Sequence, residues 1–544
     1  MRLVFSNPRG MAPRVDPLLL EPMQAQYARN VRFLDNGWSS WNEPVFVAPF
    51  NKTGLIQSIY RFGQDATTDA NYWFQWTTDV DIVRYARFAN EGTIYSGDGV
   101  PKYTDATMGT SPGPLPSASY DLGLVTPTIA PSLSVSGVAG VGAQSLTIFV
   151  GYTFVDARGQ ESALSPISSE ITAVSNQTIN VSFLQIPAGN NSYTAKRIYA
   201  TAGTGTSFYL RTEVAAGSPT ASFVAARSTT PIPGQTGVGD ALERATSGAP
   251  PADSYGVKYC AGNFLAMISG DSVVFSEADF LYAYKASNSV KPPFKPVALG
   301  TFGNTLVVGT KGRTMLYQGL DPEFMQEIKG DRVFACVSKR SMVDMDGQAV
   351  GYAAKEGFVV VSPAGSTLIT GNFYSGREWA ALKPETMMCV YWNGQVVCFF
   401  NDGAGRKGSL LLIPGVEPVE LSLYATAAYV DPQRNSLYVA MSDAPYNGIY
   451  RFDSGAALPW VWKSKDHPMA KAMSWTGLQV KSDGAIRVEA SSDGRVQWVV
   501  TATNDEIITV PGGYLGQKWS FEFSGTVKMK SCVIADNFSE LTTV

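Results

Sequence analysis

Pairs of residues that tolerate a positive φ angle cut this chain into short pieces: Gly262-Asn263, Gly270-Asp271, Gly303-Asn304, Asp346-Gly347, Asn393-Gly394 and Asn447-Gly448. Glycine and asparagine supply the left-handed backbone that tight β-hairpins need, so the segments between them have room only for short strands. Three to four strands recur in each of 297–330, 339–370, 386–422 and 425–464. A recurrence of roughly 40–50 residues with that content suggests the blades of a β-propeller.

Composition points the same way. Charged residues are 16% of the chain and aromatics 12%, with 52 Gly and 32 Pro. Ordinary soluble chains carry about a quarter charged residues, and the balance found here suits many short strands and turns better than long solvated helices. At 544 residues the chain has room for several domains.

The expected fold is all-β: a β-propeller with an inserted fibronectin- or immunoglobulin-like sandwich and an extended N-terminal arm. Residues 1–43 read as that arm. Pro8, Pro13, Pro17 and Pro22 keep its first half extended, and a short amphipathic helix fits Met23 to Leu34, with Met23, Tyr27, Val31 and Leu34 on one face. The helix is too short to stand alone, so the arm is expected to dock on a neighbour. Residues 44–119 read as the first part of the propeller, followed by a linker at Ser111–Pro116. Residues 120–243 are richer in Ser, Thr and Ala. There Leu146, Ile148, Val150, Tyr152 and Phe154 alternate with Thr147, Thr153 and their neighbours, and six or seven strands fit a sandwich without the immunoglobulin cysteine pair. Punctuation at Pro231 to Gly239 closes the insert. Residues 244–465 form the main propeller, and 466–544 either a closing blade or a small separate sandwich.

Several function classes lose support from the residues alone. Lys and Arg number 42 against 46 Asp and Glu, a formal charge of −4, and no basic run exceeds two residues. Tight nucleic-acid binding needs clustered cations. No stretch has the ~18 apolar residues of a membrane helix, and Pro8 and Gly10 interrupt any signal-like apolar core. The expectation is folding in a reducing cytoplasm, with which five cysteines lacking C-x-x-C spacing agree.

The search for chemistry assigns no catalytic, cofactor-binding or metal-binding residue. His467 is the single histidine, and its place beside Pro468 reads as a loop. Ser491-Ser-Asp493-Gly494 with Trp498 comes near a sialidase Asp-box, but its glycine directly follows the aspartate, so a hairpin turn is expected. Asp344-Met-Asp346-Gly347 lacks the glycine and glutamate of a calcium loop. Gly309-Thr-Lys311-Gly312 lacks phosphate-loop spacing and reads as a turn. The Asn393-Gly394 turn would set Cys389 opposite Cys398, at a separation that permits a disulfide, but in a reducing cytoplasm two reduced packing thiols are the expected state.

The opening Gly10-Met-Ala-Pro-Arg-Val-Asp-Pro-Leu-Leu-Leu-Glu-Pro22, with Ala25, Ala28, Asn30 and Gly37, resembles the start of tail and head-stabilisation proteins of short-tailed bacteriophages. Tyr152–Ser162 and Lys196–Tyr199 are similar to the fibronectin-like insert of that family. Ile507–Pro511, Trp519–Phe523 and Glu540-Leu541 are similar to its C-terminal strands. The resemblance implies a podovirus tail nozzle: a homo-oligomeric ring of six propeller subunits below the portal and adaptor, bearing the tail needle or tip and fibres or spikes. DNA would pass through its lumen without specific binding, and the nozzle would retain the packaged genome. It implies no enzyme, no cofactor and a place in the virion. Two other readings stay open, a tail fibre or receptor-binding adhesin and a glycan-cleaving propeller enzyme.

Overall fold

The computed structural model describes residues 1–62, 68–85, 92–109, 118–139, 144–201, 206–226, 239–328, 330 and 334–541. The expected linkers at 111–116 and 231–238 lie outside them. The chain is all-β and separates into two compact units. One comprises Met1–Asp79, Gly300–Leu316 and Ile328–Val544; the other comprises Val80–Leu299 and Tyr317–Glu327.

The glycine and asparagine pairs do what their backbone freedom suggests. Asn393 and Gly394 have φ of 50° and 77°, Asp346 and Gly347 of 47° and 69°, and each pair reverses the chain between antiparallel strands. The meanders so formed are propeller blades. In the first unit one blade is Val343–Met345, Ala349–Ala353, Phe358–Ser362 and Gly365–Leu368. Another is Met388–Trp392, Gln395–Asn401, Lys407–Ile413 and Val416–Leu421. A third, Ala427–Asp431, Ser436–Met441 and Gly448–Arg451, takes its fourth strand from Val45–Ala48, far earlier in the chain. The first strands of these blades pack side by side in sequence order, and Ser58–Arg61, paired with Trp73–Trp76, packs beside the last of them. A further meander runs through Pro296–Phe302, Thr305–Thr310, Met315–Gln318 and Gln326–Ile328.

In the second unit the blades are Asp81–Tyr85, Gly92–Ser96, Lys102–Thr104 and Tyr120–Asp121, then Tyr255–Cys260, Phe264–Ser269, Ser272–Glu277 and Phe280–Val290. Residues 44–119 therefore do not make one blade. Their strands are shared among three sheets, because Val45–Ala48 finds its partner in Gly448–Arg451.

The sandwich lies between those two blades in sequence. Ser132–Ser136, Thr178–Ser182 and Ala221–Val224 form one sheet, Val150–Asp156, Tyr193–Thr201 and Phe208–Ala215 another, and Ser145–Ile148 pairs with Ile171–Val174. All five alternating residues from Leu146 to Phe154 are buried in its own core with Ile179, Val181, Ile198 and Phe223. Its two connections run together: a Cβ on Gly123, whose φ is +80°, would lie 2.8 Å from the Cα of Ala249. Excursion and return at one place are the geometry of an insertion.

The N-terminal segment corrects the sequence reading most. There is no helix over Met23 to Leu34. Ala25–Arg29 and Val31–Leu34 are strands, separated by Asn30 at φ +54°. The four-residue spacing of Met23, Tyr27 and Val31 suits a helical face, but four is also a multiple of the strand period of two, so the same residues fit extended chain. Nor is 1–43 a separate arm. Ala25–Arg29 lies between Val416–Leu421 and Trp460–Ser464 in a ten-stranded sheet that continues through Gly516–Gly525, Ile486–Ser492 and Arg495–Ala502. Val31–Leu34, Gly37–Ser40 and Arg2–Phe5 join a six-stranded sheet with Met529–Ala535, Gly477–Ser482 and Ile507–Thr509. Residues 466–544 are thus no closing blade; with the N-terminal strands they build a two-sheet body around Phe5, Trp38, Trp462, Trp519, Phe521 and Phe523.

Candidate functional site

Asn30 and Gly37 explain why the N-terminal segment reads as a motif. The Asn30 amide N–H donates to Glu420 O (2.8 Å) and its side-chain NH2 to Pro459 O (3.0 Å). Its side-chain oxygen accepts from the amide and hydroxyl of Ser422 (2.8 and 3.1 Å). One small polar residue in the left-handed region thereby ties three chain segments together. Ala25 and Ala28 are fully buried, and a Cβ on Gly37 would sit 2.5 Å from Met529 O. Upstream, a Cβ on Gly10 would meet Glu417 O at 2.4 Å. Arg9 pairs there with Glu417 and Glu21.

His467 is not in a loop. It begins the strand His467–Met473 and pairs with Trp519. Its ring stands edge-on to Phe5 at 5.7 Å and lies 6.2 Å from Phe521, and its buried Nε2 makes no hydrogen bond. Burial, reinforced by Lys465 and opposed by Asp466, lowers its pKa to about 4. The cleft beside it, about 320 Å³, is lined mainly by apolar groups, among them Leu3, Val4, Phe5, Trp462 and Met469. Among the described residues, no carboxylate or hydroxyl hydrogen-bonds this Nε2.

The other motifs are turns. Asp493 and Gly494 (φ 49° and 79°) reverse the chain between Ile486–Ser492 and Arg495–Ala502. Asp344 Oδ1 accepts from the Thr301 amide at 2.9 Å. Thr310 Oγ1 accepts from the amides of Gly312 and Arg313, closing the turn around Lys311. Among the described residues no three His, Cys, Asp or Glu side chains gather as a metal site, and no helix is long and apolar enough to cross a membrane.

One carboxylate pair escaped the sequence reading. Glu489 and Glu522 are directly opposite on adjacent strands of the ten-stranded sheet, in a row that runs Tyr27, Lys463, Glu522, Glu489, Val499. The neighbouring row, Trp462, Phe523 and Val488, is buried on the other face. Burial and the Glu489 charge raise the Glu522 pKa, against Lys463 and Arg487; Arg487 also binds Glu489 at 2.6 Å. Like charges placed opposite each other destabilise a ladder, and the flanking cations offset that cost. No local spacing announces the pair, since the register between strands distant in sequence creates it.

No family model and no curated protein matches the chain. Among solved structures, an exo-β-1,3-galactanase from Phanerochaete chrysosporium, with β-1,3-galactotriose bound, is similar at 11% identity. That match covers 71% of this chain and all of the other, with a TM-score of 0.22. The extracellular domain of a protein described as a hybrid two component system from B. thetaiotaomicron matches at 9% identity, covering 93% of this chain and 79% of that one, with a TM-score of 0.15.

Proposed function

We propose that this chain is a structural virion protein, the nozzle of a short-tailed phage tail, prolonging the DNA conduit below the portal and adaptor and retaining the packaged genome. The observation that carries the reading is the work done by the residues of the N-terminal resemblance. Ala25, Ala28, Asn30 and Gly37 are the positions that splice the first strands into the two C-terminal sheets. A motif spent entirely on joining chain ends fits an architectural part better than a site for turnover. Propeller blades, a sandwich insert on paired connections and a strand-rich composition low in charge fit the same role. In this reading six subunits form a ring by heterologous contacts, and no side chain needs catalytic activation.

Tail reconstruction of the phage particle tests it. A six-fold ring of this chain beneath the adaptor is the expected result. Three-fold or free-fibre placement would assign the adhesin role instead. Saturable cleavage of a host polysaccharide by the purified chain, lost on Glu489→Gln or Glu522→Gln, would assign the enzyme role.

A further inference from the structure

The hairpin Met388–Trp392 and Gln395–Asn401 brings two of the five thiols face to face. Its two-residue turn sets Trp392 opposite Gln395, and the register then sets Cys389 opposite Cys398. Pairs alternate between hydrogen-bonded and non-hydrogen-bonded along such a ladder. Counting from the hydrogen-bonded pair at the turn, Cys389 and Cys398 occupy a non-hydrogen-bonded site, where Cα atoms approach to about 4.5 Å. That separation lies within the span a disulfide bridges. The two sulfurs are 2.9 Å apart. Cys398 is fully buried, whereas Cys389 is partly exposed; Cys260, Cys336 and Cys532 are buried.

We propose that Cys389 and Cys398 are an oxidisable dithiol that closes to a cross-strand disulfide when the chain meets a small-molecule disulfide such as oxidised glutathione. Cys389, the more accessible thiol, loses its proton and its sulfur attacks one sulfur of the oxidant. A protein–glutathione S–S bond forms, the glutathione S–S bond breaks, and one glutathione thiolate leaves. Cys398 then gives up its proton, and its sulfur attacks the Cys389 sulfur of the mixed disulfide, expelling the second glutathione thiolate. The two thiolates take up the two protons. Two protein thiols are oxidised and one small disulfide is reduced to two thiols, without any other reactant.

Environment sets the rate. Burial and the neighbouring Cys398 raise the Cys389 pKa, so little thiolate exists near neutral pH and the first attack quickens as pH rises. Once the mixed disulfide forms, the second step needs no search, because the ladder already holds Cys398 opposite. Closure constrains chiefly the unfolded chain, so the oxidised blade melts higher than the reduced one. None of this depends on the proposed function.

The experiment treats the folded full-length chain with oxidised glutathione at mildly alkaline pH, then alkylates remaining thiols under denaturing conditions for mass spectrometry and peptide mapping. The expected product has lost the mass of two hydrogen atoms, keeps three of the five thiols, links Cys389 to Cys398, and reverts with dithiothreitol. Cys398→Ser should trap glutathione on Cys389, and Cys336→Ser should behave as the parent. Five thiols still free in the folded chain, while the urea-unfolded chain oxidises under the same conditions, would overturn the proposal. So would a persistent mixed disulfide in the parent, or a linkage through Cys336.

Discussion

Arg61 and Asp431 form an ion pair at 3.2 Å with side chains 0% and 2% exposed, joining two strands 370 residues apart in sequence. Arg61 ends Ser58–Arg61 and Asp431 ends Ala427–Asp431, the strands that pack side by side where the blade closed by Val45–Ala48 meets the two-stranded sheet. Arg61 also donates to Thr68 O at 2.7 Å, and Asp431 accepts from the Gln433 amide at 2.9 Å. Desolvation makes such a pair expensive to break and nearly neutral to replace. Asp431→Ala should cost about 3–5 kcal/mol, because it removes a buried carboxylate from a buried guanidinium. Arg61→Met with Asp431→Leu should cost much less than the sum of the single changes. Urea unfolding of the two single variants and the double variant measures the coupling.

His467 predicts an acid-sensitive body. Its folded pKa of about 4 lies below the unfolded value of 6.5, so between these values the unfolded chain binds the extra proton. Stability should therefore be complete above the unfolded pKa and fall as pH drops through that window, levelling off below the folded pKa. The contribution at stake is ~3 kcal/mol, at about 1.4 kcal/mol for each tenfold change in proton affinity. Melting curves of the parent and His467→Phe at pH 7 and pH 4.5 isolate it, since other groups titrate equally in both. A parent that loses no more stability than the variant would contradict the assignment.

Removal of residues 1–35 should unfold the two-sheet body, because it takes an interior strand from the ten-stranded sheet and two strands from the six-stranded one. A milder probe is Asn30→Ala, which forces alanine into the left-handed region and leaves Ser422 N–H and Pro459 O without their partner. The expected cost is about 3 kcal/mol, from strain of ~1–2 kcal/mol and unpaired buried groups. Chemical denaturation followed by tryptophan fluorescence reads it, given Trp38, Trp460 and Trp462 in that core.

Excision of residues 124–247 with a short Gly-Ser link should leave the blades Asp81–Asp121 and Tyr255–Val290 folded. Gly123 and Ala249 already touch, and the sandwich has its own core. Conversely Ile198→Ala, deep in that core, should cost about 2–5 kcal/mol and melt the sandwich ahead of the rest. Calorimetry showing a single transition for both parent and variant would argue against an independent insert.

Local chemistry determined much of this protein. Turn pairs such as Asn393-Gly394 dictated hairpins because few residues accept positive φ, and the alternation from Leu146 to Phe154 dictated a buried strand face. The blade spacing and the sandwich were legible for that reason, and the register that pairs Cys389 with Cys398 followed from the turn alone. What depended on partners distant in sequence was not legible. Val45–Ala48 looks like any short strand until Gly448–Arg451 lies beside it, and Glu489 and Glu522 become neighbours only through the pairing of two remote strands. The N-terminal segment shows the limit most clearly. Its apolar spacing from Met23 to Leu34 suits a helix face and a broken pair of strands equally well. Only the ladder offered by Val416–Leu421 and Trp460–Ser464, with Asn30 turning the chain from one sheet to the other, decided between them.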